Sequence, residues 1–513
     1  MLAIYVLGRW SRAQVLEMHQ AVGACDLGIF HQAVQGWAFD GWPDVPIKGF
    51  AQLGDHFSPI FALLAPILWV YDSPIVLVYA QVLLICLSGI PIYHLFRRHY
   101  GVWVASGMLV AYLGSHAVLG TIRFPVHEVM FGALFLSWGL ERMLAGRWTQ
   151  ASVLIAALVT VKEDGGLLCA LVGLYALLHR RWRHGAFLMI WGVGWFALTL
   201  KVIIPALHPS GSYTYEGDYQ QNLHADGIFA GIPYMLGHPL EVLHLMVDQP
   251  AKVTTWQQLL IPIGFVALAS PLALLAAPLM LARMLSSRET QWSSSLYYNM
   301  PLMPIMFAAA ADGIRRIGNL LDRLRGLPPA PDPTNTAAES PPQPSTNVGT
   351  SPEVSTDGTS RRSFKRIRAS TVLAASAAIV LSGAAVWDLR SDPIVRWHLD
   401  AAAASEPGRT EIAAEARRAL THVPPGVTVR ATNVLVVPLL ATNKVTLIGS
   451  NTDHGDWAVV DTADPGCPLG PDDVPRVMRQ LDGMGFRSVY SAGRFVVLHR
   501  TAPPIAPIQS IGS

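Results

Sequence analysis

Residues 23–59, GACDLGIFHQAVQGWAFDGWPDVPIKGFAQLGDHFSP, are the polar opening of an otherwise oily chain and stand ahead of a long series of apolar runs. Phe30, Ala33, Val34 and Trp37 recur at helical spacing, while His31, Gln32 and Gln35 fall elsewhere on the wheel. That pattern predicts a short amphipathic helix lying flat on a membrane surface, with Asp26 at its N-terminal end. Asp55 and His56, just before the next apolar run, then sit near the same water–lipid boundary.

Composition sets the class. The 513 residues are 51% hydrophobic and 14% charged, with a mean hydropathy of +0.36, whereas soluble domains carry roughly 25% charged residues. The chain reads as an α-helical polytopic membrane protein. A net charge of +2, with the basic residues in short clusters between apolar runs, argues against a nucleic-acid partner. Cys25, Cys86, Cys169 and Cys467 lie far apart and suggest neither a disulfide framework nor a zinc site. The apolar start Met1 to Leu7 stops at Arg9, too short for a signal peptide.

Apolar runs at about 75–96, 102–120, 129–145, 150–161, 164–179, 184–205, 258–285, 296–314 and 370–388 are candidates to enter the bilayer. Several fall short of a straight crossing, which implies broken helices buried in protein. Splitting 258–285 near Ser270-Pro271 into a hairpin keeps the charge count consistent, giving a bundle of about 9–11 helices. Arg97 and Arg98, Arg147, Arg180 to Arg183, and Arg315 to Arg325 can then all be cytoplasmic. The expected organisation is a first outer segment 1–74, a bundle 75–325, a disordered Pro/Ser/Thr-rich cytoplasmic linker 326–368, a final transmembrane helix 369–388 and an extracytoplasmic domain 389–513. The tail alternates helical and strand-like runs, a small α/β domain on a stalk.

Under this topology unusual polar residues from four loops gather on the outer face: Asp26, Asp55 and His56; Arg123, His127 and Glu128 of RFPVHEVM; Lys162, Glu163 and Asp164 of VKEDGG; Tyr297, Tyr298 and Asn299. Ionisable groups at membrane level are costly and point to a site. Each also has a plainer role. Asp26 can cap its helix, Asp55 and His127-Glu128 can start helices in water, the Lys162 cluster can be a structural ion pair, and the tyrosines can be interfacial anchors. Aromatic residues of the loop 206–257, Tyr213, Tyr215, Tyr219, Tyr234 and Trp256, can wall a groove for sugar.

The ordered series CDLGIFHQAVQG, DHFSPIFALLAPILWVYDSPIVLVYAQ, RFPVHE and VKEDGG, with the tail stretches VPPGVTVRATNVLVVPLL and GRFVVLHR, resembles a family of bacterial polytopic membrane proteins described as a domain of unknown function. That family in turn resembles the GT-C glycosyltransferases, which take a sugar from a polyprenyl-phosphate carrier on the outer face of the membrane. The resemblance implies a GT-C-like bundle, a polyprenyl-phosphate sugar lipid as donor and a cell-envelope glycan or protein as acceptor. It also implies that Asp26 is the catalytic base, although the expected first helix is represented only by Met1 to Leu7. Lys162 and Glu163 join Asp26 as catalytic candidates. His56, Arg123, His127, Glu128, Asp164, Gln32 and Tyr298 are the substrate-binding candidates. The types of His56, His127 and Glu128 are compatible with a divalent metal, although no spacing demands one. A transporter or lipid flippase, and a non-catalytic envelope assembly protein presenting its tail, remain as alternatives.

Overall fold

In the computed structural model the chain is described over residues 2–16, 18, 23–227, 229–293, 296–326, 369–391, 409–450 and 454–501, and its helices follow the apolar runs. The helix Pro74–Tyr100 is the longest. Pro74 fills its first position, Ser73 accepts a hydrogen bond from the Ile75 amide, and Arg97, Arg98 and His99 lie in its last turn. Gly101 then takes φ +85°, a conformation open to glycine, and stops it. Among the described residues, this helix and Trp182–Leu207 are long and apolar enough to cross a bilayer unbroken. Val102–Leu113 and His116–Arg123 supply a third crossing if taken as one span bent by 41°.

The remaining apolar helices are short and depend on one another. Gly165–Leu178 and Trp182–Leu198 meet backbone to backbone, and a Cβ added at Gly192 would come within 2.4 Å of Gly166 O. Small residues permit that approach in a medium where apolar side chains gain nothing by leaving lipid. The run 258–285 does break at Ser270, but its first half is not a crossing helix. The short 3-10 turns Ile261–Ile263 and Val266–Ala269 precede the break, and a continuous helical stretch Pro271–Leu285 follows it. Ser270 Oγ donates to Asp312 Oδ2 at 2.7 Å and accepts from the Leu272 amide, so the interruption leaves satisfied polar groups.

His94, Arg97, Arg98, Arg142 and Arg147 surround one shallow hollow, with Glu141 between Arg98 and Arg142. The two basic clusters that charge places on a common face are therefore neighbours. Helix Ala369–Ser391 returns to the bundle, where Ser382 Oγ donates to Gly107 O at 2.7 Å. The linker expected to be disordered lies, from residue 327, outside the described residues.

The tail is a five-stranded mixed sheet in the order Lys444–Leu447, Thr428–Ala431, Trp457–Asp461, Phe495–Arg500 and Phe486–Ala492. The first three strands are parallel, and the last two join antiparallel through the hairpin at Gly493. Helices Arg409–Leu420 and Val474–Gly483 supply helical runs of the tail. A further helix, Asn433–Leu439, lies in the stretch NVLVVPL that carries no helical period.

That helix corrects two expectations. The tail does not stand off on a stalk, because it is docked on the first outer segment: Asn433 Oδ1 accepts from the Ala24 amide at 2.7 Å, and Val436 packs on Gly28. Nor does the amphipathic segment offer its polar side to water. His31 and Gln32 are buried, Gln32 Nε2 donates to Val445 O at 2.8 Å while its Oε1 accepts from the Ile47 amide, and Gln35 reaches Leu440 O. The polar side is the surface on which the tail sheet rests.

Candidate active site

Three loops and one wide turn build the site. Asp26 sits in the π-turn Ala24–Gly28, whose first amide is capped from Asn433, so Asp26 is not a capping residue and Gly23 occupies the cap position. Wide turns of this kind re-aim a side chain relative to an ordinary helix. The strands Asp44–Val45 and Phe50–Ala51 form a small hairpin that holds Lys48 against Asp55. Phe124 to Glu128 bridge His116–Arg123 to Val129–Leu144. Lys162 to Asp164 fill the gap between Ala157–Thr160 and Gly165–Leu178.

These segments surround a cavity of about 580 Å³. Its wall includes Asp26, His56, His127, Glu128, Lys162, Glu163, Asp164 and Tyr298 of the sequence-derived candidates. Gln32 and Arg123 are not part of that wall. Gln32 is spent on the interface with the tail, and Arg123 ends its helix away from the cavity lining. Of the loop aromatics, Tyr213, Tyr215 and Tyr219 line the cavity, whereas Tyr234 and Trp256 do not, and Trp256 Nε1 donates to Met246 O.

Most of the charged groups fall into fixed pairs. Lys162 Nζ is 2.9 Å from Glu128 Oε1. Glu163 accepts from His56 Nδ1 at 2.9 Å, from the Phe57 amide at 3.2 Å and from Tyr213 OH at 3.1 Å. Asp55 is held by Lys48 and by Tyr215 OH, whose ring stacks on His56. The three paired carboxylates are nearly closed to solvent, with side-chain exposures of 1% for Glu128, 4% for Glu163 and 9% for Asp55. Asp26 keeps 25%, with His127 Nε2 3.4 Å from its Oδ1.

Electrostatics separate the roles further. Burial, reinforced by the Glu128 charge and opposed by Lys48, pushes the Asp26 carboxyl up from 3.8 to about 7. Burial drives His127 down to about 3, so the imidazole beside Asp26 is neutral and stacks flat on Tyr297 at 3.4 Å. Burial would raise Glu163, but His56 and Lys162 outweigh it and bring the carboxyl down to about 2. His56 is raised despite burial and Lys162, because Glu163 and Asp55 face it, so it is a charged partner. Asp164, half-buried at the start of its helix, is lifted to about 6 by burial against the pull of Lys162.

Arg283 belongs to the site and the sequence reading passed over it. Its guanidinium is buried in the cavity wall, donating to Gln291 O at 2.9 Å, Tyr298 O at 3.2 Å and Asn299 Oδ1 at 2.7 Å, all uncharged partners. Its second terminal nitrogen, Nη2, has no protein partner among the described residues. The signal that could have found it is an arginine inside the apolar run PLALLAAPLMLARML. No group of three or more His, Cys, Asp and Glu side chains suited to a metal is present among the described residues. His56 and Glu128, offered as ligands by type, are engaged by Glu163 and Lys162. An apolar part of the wall comes from other elements: Phe196 and Leu200, Phe229, Ile232 and Met235, and Leu279.

A family model described as a predicted membrane protein (DUF2079) matches residues 19–328. No curated protein matches the chain. Among solved structures, the chain is similar to ArnT from Cupriavidus metallidurans bound to undecaprenyl phosphate, at a TM-score of 0.53 and 14% identity over 98% of both chains. It is also similar to the apo state of that protein, at a TM-score of 0.48 and 12% identity over 94% of both chains. The undecaprenyl-phosphate-bound likeness extends through the tail and shows a common fold.

Proposed function

This chain belongs to the DUF2079 family of predicted membrane proteins, and we propose that it is a membrane glycosyltransferase moving a sugar from a polyprenyl-phosphate donor to an acceptor outside the cytoplasm. One observation carries this: a carboxylate raised to about 7, with no cationic side chain paired to it among the described residues, faces the same cavity as a buried arginine whose Nη2 has no protein partner among them. A general base works best with a pKa near the operating pH, and a developing phosphate anion is best met by fixed donors. The fold shared with ArnT, whose crystal structure holds undecaprenyl phosphate, supports the choice of lipid.

In the proposed step Asp26 takes the proton of the acceptor hydroxyl as that oxygen bonds to the anomeric carbon. The bond from that carbon to the phosphate oxygen breaks, its electron pair leaves with the lipid phosphate, and the anomeric centre inverts. Phosphate needs no proton to depart, so one base suffices. Lys162 and Arg283 Nη2 receive the charge. His127, neutral and clamped on Tyr297, leaves Asp26 basic where a cation would have quenched it. Glu163 positions His56 and Tyr213. The apolar wall of Phe196, Leu200, Phe229, Ile232 and Met235 suits the first isoprenyl units of the carrier. The tail covers the segment bearing Asp26 and is assigned to the extracytoplasmic side with it. The test is transfer from polyprenyl-phosphate sugars to envelope acceptors by the purified chain in lipid nanodiscs. Failure of every donor with the wild-type protein, while the lipid phosphate also fails to bind, counts against the assignment.

A further inference from the structure

Cys25 and Cys467 are separated by 442 residues, yet Cys25 Sγ lies 2.6 Å from Cys467 Sγ. The contact is held from both sides. Ala24, next to Cys25, donates to Asn433 Oδ1, and the Asn433 amide donates to Pro465 O, two residues before Cys467. The remaining cysteines, Cys86 and Cys169, lie in the helices Pro74–Tyr100 and Gly165–Leu178, and Cys169 Sγ is turned to Ile155 O. Cys467 is exposed, and Cys25 faces the cavity beside Asp26.

We propose that Cys25 and Cys467 form a disulfide that fastens the tail domain to the turn carrying Asp26. This rests on the outward placement argued above, since protein disulfides persist in oxidising compartments and are reduced in the cytosol. The oxidant is a disulfide of an extracytoplasmic thiol oxidoreductase or a low-molecular-weight disulfide. Cys467 thiolate attacks one of its sulfurs, giving a mixed disulfide and one released thiolate. Cys25 then attacks Cys467 Sγ and expels the second thiolate. Two protons and two electrons leave Cys25 and Cys467, and the oxidant becomes a dithiol if it is the oxidoreductase or two thiols if it is the small disulfide. Hydrogen bonding from Cys25 holds the Cys467 thiol below its ordinary value, which suits it to attack first. The bond would tie the tail to the turn that carries the one residue the proposed chemistry cannot misplace.

The experiment counts free thiols on the full-length protein in freshly prepared membranes. The protein is denatured with a polyethylene-glycol maleimide, with or without prior reduction, and read on a gel. Two adducts without reductant and four with it are expected, together with a reducible cross-linked peptide pairing Cys25 with Cys467 by mass spectrometry. Cys25→Ser and Cys467→Ser should each show three adducts in both lanes. Four adducts without reductant overturn the bond as a feature of the native protein. Exposing native membranes to oxidised glutathione then locates the error: a fall to two adducts shows that the compartment, and so the outward reading, was wrong, whereas four adducts show that the thiol pairing was.

Discussion

Replacing Asp26 by Asn keeps the side chain's size and removes its basicity and its charge, and the two losses act in opposite directions. The proposed base contributes about 10²- to 10⁴-fold to transfer, the range typical of a positioned proton acceptor, or about 3–5 kcal/mol of barrier. The same carboxylate costs stability when ionised. Its pKa rises from 3.8 to about 7 on folding, so the folded state favours the protonated form. The stability tied to that proton is complete below about pH 4 and is lost as pH rises through about 7, amounting to about 4 kcal/mol at most. Asn needs no proton. D26N should therefore lose transfer activity by at least a hundredfold and melt higher than wild type at pH 8, with the difference vanishing near pH 4. Wild-type kcat/KM should rise about tenfold per pH unit below 7 and level above it. The assay is radiolabelled sugar transfer in nanodiscs beside thermal unfolding of the same samples. A helix cap would behave otherwise, since Asn caps about as well as Asp, and would leave both stability and activity nearly unchanged. Unchanged transfer, or a lower melting temperature at pH 8, refutes the reasoning; loss of transfer in D164N alone would move the base to the other raised carboxyl.

Removing Lys162 as K162M strands Glu128, 1% exposed, without its cation. A loss of about 3–5 kcal/mol in unfolding free energy is expected, and denaturant titration checks it. R283K keeps a positive charge but loses the planar fork that reaches Tyr298 O, Asn299 and the cavity together. A fall of about 10²-fold in kcat, with weaker retention of polyprenyl phosphate in a binding assay, is expected. E163Q removes a carboxylate whose pKa is lowered to about 2. The stability it supplies is present above about pH 4.5 and is lost as pH falls through about 2, so the variant should be less stable at pH 7 by about 3 kcal/mol and should lack that acid-side slope in melting experiments.

The bundle was legible because burial in lipid leaves a coarse mark. Runs such as 75–96 and 184–205 became the helices Pro74–Tyr100 and Trp182–Leu207 with little change of boundary. HE at 127–128 and KED at 162–164 stood out for the same reason, since charge beside an apolar run is expensive enough to need a purpose. Arg283 did not stand out, because a single arginine near a helix end also reads as an anchor in the headgroups. Its role depends on residues 291–299 folding beside it. Gln32 was misjudged because polarity on an amphipathic wheel suggests water, whereas its amide is taken by Val445 and Ile47. No local pattern announces a partner more than 400 residues away. The helix Asn433–Leu439 was hidden by its own β-branched sequence, NVLVVPL, in which packing against the first outer segment overrides weak helical propensity.

The amide of Ala24 and the side chain that caps it are 409 residues apart. A ribosome adding about 5–20 residues per second needs about 20–80 seconds to supply the second after the first. During that interval every bundle helix can be inserted while the turn around Asp26 lacks the group that sets it. Membrane insertion and competence are thus separate events in the life of this protein, and a polypeptide released before Asn433 is made would be a well-integrated but idle scaffold.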